Sequence, residues 1–234
     1  MSIEIVPSSA DEAMAKVLPT FVNDKYEPLI ESETNLPRFA DFKDICAGLS
    51  SKDRIALARM IEVSEKEVRA IAATDEMISQ GRTGASVVIS NSEAGLPPII
   101  LEVDEVTTDD KDFGKKSAKH WVIGLAKNRY ADTYPWTFGS TVNLEDETKI
   151  PKWKINGELV PAGSACRHNW NVAVSGFVGK NDLKPGETDE ACAIAILYGA
   201  KQFDNFDSAK RFAKSMENQR FINEFSLFID PVLD

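Results

Sequence analysis

Sulfur, imidazole and long apolar runs are all scarce in this chain, and each scarcity excludes a class of protein. Cys46, Cys166 and Cys192 are the only cysteines among 234 residues, and no Asn-x-Ser/Thr acceptor accompanies them. An odd, scattered set of thiols does not staple a secreted fold, so a reducing compartment is expected. His120 and His168 are the only histidines and no Cys-x-x-Cys occurs, so a four-ligand zinc site would have to recruit remote carboxylates. Neither a metal nor a cofactor is expected. The longest nearly apolar stretch, 191–200, covers half of the roughly 20 residues that cross a bilayer. Residues 1–7 lack the basic start and apolar core of a secretory leader. The expectation is a cytoplasmic protein, or one inside a virus particle assembled in the cytoplasm, with no membrane partner.

What is present is ordinary globular material, 43% hydrophobic and 27% charged, enough to bury a core. A net charge of −10 disfavours a phosphate backbone as partner, but the charge is unevenly spread. Residues 111–180 hold eleven Lys and Arg against six Asp and Glu, a net +5, while the remainder of the chain carries −15.

Periodicity divides the chain into three stretches. In the first, Ser9-Ala-Asp-Glu12 and Ser64-Glu-Lys-Glu67 have capping-box spacing, and each predicts a helix start. Apolar residues three and four apart in 38–47 and 52–61 predict two short amphipathic helices between them. Gly81 and Gly84 close the last of these helices. Gly81-Arg-Thr-Gly84 also has the spacing of the GxxG clamp that holds a nucleic-acid backbone, but that loop joins two helices and here a strand follows.

From Ala85 the period becomes that of strands. Val87-Val-Ile-Ser90 and Ile99-Ile-Leu-Glu-Val103 predict a pair around Gly95-Leu-Pro-Pro98. Ser117 predicts the cap of a helix carrying Trp121 and Leu125, Asn156-Gly157 predicts a tight hairpin, and 170–178 predicts another strand. Thr188 then caps a helix through Gly199, and Asp207 or Ser208 caps a longer one with Phe212, Met216, Gln219 and Ile222. The fold class is therefore helix-rich α+β: an N-terminal helical lobe (1–84), a central basic and aromatic part with small β elements and a hairpin near 150–160 (85–187), and C-terminal helices (188–234), or all three as one domain.

Chemistry concentrates in the middle. Trp121, Trp136, Trp153 and Trp170 are all the tryptophans, and all fall in the basic segment with Tyr130 and Tyr134. Rings offer every base a stacking face while cations follow the backbone, so these residues with Lys119, Lys127, Arg129, Lys149, Lys152, Lys154 and Arg167 suit a single-strand groove. The same tryptophans suit a core equally well. Gly176-Phe-Val-Gly-Lys180 lacks the early glycine and the Ser/Thr of a P-loop. Cys166 and His168, two apart, would share a face on a strand and pair as thiolate and base.

The chain ends are apolar: Ile3 and Ile5 alternate with polar residues, and Phe225-Ser-Leu-Phe-Ile229 includes Phe225 and Phe228. Such ends cover their own core or dock on a neighbouring copy. Two binding readings follow: a non-catalytic, self-associating single-stranded nucleic-acid-binding protein of coat, nucleocapsid or single-strand-binding type, or a purely structural self-assembling subunit of a particle or tube. A third reading is an enzyme using Cys166 and His168.

Overall fold

Twenty-two residues from Ser51 to Ala72 form the first long element of the computed structural model, helix α1. The structure describes residues 2–5, 48–104, 120, 123–125, 127–128, 154–155, 158–159, 162–183 and 186–224. Ser50 caps α1, its hydroxyl accepting from the Asp53 N–H at 3.1 Å. The capping-box reading at Ser64 is overturned, because Ser64 lies mid-helix and its hydroxyl donates back to the Met60 carbonyl at 2.6 Å. With its hydroxyl satisfied inside the ladder, Ser64 starts nothing, and one helix replaces the two expected. Ala56, Leu57, Met60, Ser64, Glu67, Val68 and Ile71 make its buried stripe. Helix α2 (Asp75–Ser79) follows, capped by Thr74.

Strands β1 (Ser2–Ile5), β2 (Ala85–Asn91), β3 (Leu96–Val103), β6 (Ser164–Arg167) and β7 (Trp170–Ser175) form an antiparallel sheet in the order β1-β3-β2-β7-β6. β1 is an edge strand, as the alternation of Ile3 and Ile5 predicts, and it pairs with residues 99–102 of β3. The β2–β3 turn comes earlier than expected, at 92–95, with Gly95 at φ 69°. Pro97 and Pro98 enter the strand there because the ladder is irregular: Asn91 faces Leu96, then Ile89 faces Ile99. A bulge is where a residue without an N–H is tolerated. A separate ladder of β4 (Lys154–Ile155) and β5 (Glu158–Leu159) matches the hairpin expected around Asn156-Gly157.

One face of the sheet, with Val87, Ile89, Ile99, Leu101, Val172 and Val174, joins the apolar core shared with α1 and the helices that follow. Helix α3 (Glu187–Gly199) is buried along nearly its whole length, from Glu187 to Tyr198. It lies between β7 and β6 on one side and α1 on the other. A helix enclosed on all sides carries no polar stripe, which is why the 191–200 run reads as apolar throughout. The single long C-terminal helix expected from sequence is two: α4 (Phe206–Ser215), capped by Asn205, and α5 (Gln219–Asn223), capped by Asn218. Glu217 at φ 57° breaks them apart. Asn218 holds the break, its amide donating to the Glu187 carbonyl at 3.0 Å and the Glu190 carboxylate at 2.9 Å.

Residues 120, 123–125 and 127–128 are helical and cross the opposite face of the sheet. The approach is close because Gly124 has no side chain: a Cβ there would stand 2.9 Å from the Val88 side chain. The Asn128 amide donates to the Val88 and Asn171 carbonyls, and its oxygen accepts from Ser90 at 2.8 Å. Among the described residues no helix is long and apolar enough to cross a membrane.

Candidate functional site

Strand β7 and helix α3 each run between two depressions, one at either end. At the first, the start of β7 meets the end of α3. A cleft of about 700 Å³ opens there between the β2–β3 turn (Asn91, Glu93), the β6–β7 turn (His168, Asn169, Trp170), the first turn of α1 (Lys52, Asp53) and the exit of α3 (Lys201, Gln202). Three residues on it hold left-handed backbone without being glycine: His168 at φ 49°, Asn169 at 64° and Lys201 at 60°. His168 and Asn169 form the two-residue connection between β6 and β7, where positive φ at both positions matches strand twist. Lys201 ends α3 in a left-handed turn, with its own N–H donating to the Tyr198 carbonyl and that of Gln202 to Leu197.

The cleft is polar and of mixed sign. Lys52, Lys201 and His168 face it with Asp53 and Glu93. The Asn169 amide donates to the Glu93 carboxylate, holding that acid against the turn. Asn91 Oδ1 accepts from the Ala94 N–H at 3.0 Å, and Gln202 Nε2 donates to the Ala200 carbonyl at 3.1 Å. Both amides are buried in the cleft wall. Trp170 is only 3% exposed, so it supplies a wall and not an open stacking face. Across from it on β6, half-buried Arg167 sets its guanidinium 5.4 Å from the Phe203 ring centre.

At the other end, the last residue of β7 and the N-terminus of α3 border a cavity of about 470 Å³. Ser175 Oγ and His120 Nδ1 share a hydrogen bond of 2.9 Å there. Lys127, wholly buried, donates to Asp189 at 2.8 Å and to the Val174 carbonyl at 2.8 Å. Burial pushes the Asp189 carboxyl up and Lys127 opposes that push. Asp189 also accepts the Phe177 N–H at 2.9 Å. Asp182, raised by burial against hydrogen bonds from Thr188 and Gly179, sits 3.4 Å from Arg220. Arg220 in turn reaches Glu76 and Glu224, both at 2.5 Å. Burial alone would raise Glu76, but Arg220 and the Lys180 N–H outweigh it and hold that carboxyl below its ordinary value.

Of the residues singled out by sequence, the structure pairs Arg167 with Trp170 across β6 and β7, puts Trp170 but not Arg167 in the lining of the first cleft, and sets Lys127 in the wall of the second cavity. Lys154 is placed by its backbone in β4, and Ile3 and Ile5 by theirs in β1. Lys119, Trp121, Arg129, Tyr130, Trp136, Lys152, Trp153, Phe225 and Phe228 lie outside the described residues. Cys166 is buried within β6, whereas His168 occupies the turn, so the strand alternation expected to align the two ends before it reaches His168. Sequence reasoning missed Lys52, Asn91, Lys201 and Gln202, which come from three distant stretches. The only local signal was His168-Asn169, an asparagine-bearing pair between two strands. Among the described residues no group of three His, Cys, Asp or Glu is arranged to hold a metal ion. Set against family models, curated proteins and solved structures, the chain finds no match in any of the three.

Proposed function

We propose that this chain is a self-associating protein that binds single-stranded nucleic acid without doing chemistry on it, as a coat, nucleocapsid or single-strand-binding subunit does. The observation that supports this most is the cleft at the start of β7. Lys52, Lys201 and His168 come from three separate elements onto one depression, beside side-chain amides. Cations position a backbone and amides read bases, so the two sets on one surface have complementary uses. Lys127 and Trp170 serve the interior of the single chain. In the cleft the nucleic-acid strand is therefore left to Lys52 and Lys201, with Arg167 and the other tryptophans and lysines of the basic segment extending the track.

Asp53 and Glu93 on the same cleft favour a second reading, the structural subunit that assembles without nucleic acid. Fluorescence of the four tryptophans during titration with a single-stranded oligonucleotide separates the two. The nucleic-acid reading expects quenching at low salt that is lost steeply as salt rises. It also expects Lys52→Glu combined with Lys201→Glu to weaken binding about tenfold or more and to flatten the salt dependence. A spectrum unchanged at low salt sinks it and leaves assembly alone.

A further inference from the structure

Two of the four large apolar residues that stay exposed among the described residues line one cavity. Ile55, Ile78, Val178 and Leu183 are the large hydrophobic side chains left more than half exposed among the described residues. Val178 and Leu183, 51% and 65% exposed, both line the 470 Å³ cavity at the N-terminus of α3. Ile78, 63% exposed, stands on α2. The same loop grips α2, since the Lys180 N–H donates to Glu76 and its ammonium to Ser79 at 3.1 Å. Deeper in, Ile123 and Phe177 continue the apolar wall. An apolar mouth opening on an apolar cavity loses free energy for as long as it faces water, and the single chain leaves it facing water.

Helix α5 is tied to the wall of this cavity through Arg220. Glu224 is bonded to Arg220, and Arg220 spans to Asp182 in the cavity wall and Glu76 on α2. The next residues are Phe225-Ser-Leu-Phe-Ile229, the most apolar stretch near either end of the chain. We propose that the cavity at the end of β7 is the acceptor for residues 225–229 of a second copy, with Val178 and Leu183 as its apolar rim. The donor segment follows directly on Glu224, whose partner Arg220 reaches the acceptor's wall, so two copies facing each other across a two-fold axis can satisfy both at once. This deepens the self-association read above and rests on it.

The test uses a labelled peptide of residues 225–234 and two variants: a chain truncated after Glu224, and the full chain with Leu183→Asp, which alters an exposed side chain. Sedimentation should show the full chain self-associating and each variant alone monomeric. An equimolar mixture of the two variants should pair, because one retains the cavity and the other the tail. The peptide should bind the truncated chain, and Leu183→Asp should weaken that binding about tenfold or more. Circular dichroism confirms that both variants are folded. If the full chain stays monomeric at high concentration, the self-association reading itself fails. If it associates but both variants associate equally, self-association stands and this acceptor site is overturned.

Discussion

Replacing Glu67 with glutamine should stabilise the protein at neutral pH and leave it nearly unchanged near pH 4. Glu67 lies in the buried stripe of α1, 5% exposed, and its Oε2 has no hydrogen-bond partner among the described residues. Burial pushes its carboxyl from 4.5 up to about 7, with neighbouring Lys66 offsetting part of the rise. A carboxyl raised on folding favours the native state while it keeps its proton. That contribution is complete below pH 4.5 and is lost as pH climbs through about 7. The gap between the two values corresponds to about 3 kcal/mol, a large share of the roughly 5–15 kcal/mol that holds a typical protein folded. Urea unfolding of both proteins at pH 4.5, 6 and 8 measures it. The advantage of Glu67→Gln should grow across this window, toward a midpoint about 1 M higher at pH 8. Asp182, Asp189 and Glu102, also raised by burial, titrate in both proteins and cancel in the difference. Parallel stability curves for the two proteins from pH 4.5 to 8 would refute the reasoning.

Lys127→Met should cost about 3–5 kcal/mol, because it strands the buried Asp189 carboxylate without its ion pair. Adding Asp189→Leu should recover much of the loss, and denaturant melts of the single and double variants measure both. Gly186→Ala should destabilise by more than about 1 kcal/mol, since φ there is 79° and the added Cβ would stand 2.1 Å from the Ala162 carbonyl oxygen. Thermal unfolding checks this, and an unshifted midpoint would contradict the placement of that turn. Cys166 and Cys192 should resist a thiol reagent until urea unfolds the chain, since both are buried and burial with Glu67 and Asp189 nearby pushes the Cys192 thiol well up. Rapid native labelling of every thiol would contradict the core described above.

The sequence by itself determined what local physics can determine. Alternation located β1 and β7, while β2 and β3 were legible as short runs of β-branched residues set off by turn residues, the pattern of strands that the structure buries on both faces. Asn156-Gly157 predicted a hairpin and the ladder of β4 with β5 forms around it, since that dipeptide accepts positive φ at low cost. Helix ends were less legible. Ser64 looked like a cap only because a hydroxyl satisfied by Met60 and one satisfied by the next turn read alike in sequence.

What the tertiary structure decided was partnership across long separations. That α3 would be sheathed on all sides, that Lys127 would be spent on Asp189 62 residues away, and that Lys52, His168 and Lys201 would share a cleft all follow from how the sheet stacks between α1 and α3 on one face and the helical residues 123–125 and 127–128 on the other. A lysine's composition and spacing are the same whether its ammonium meets a phosphate, a carboxylate or water. Only burial and the neighbouring groups decide between them, and both are properties of the packed chain.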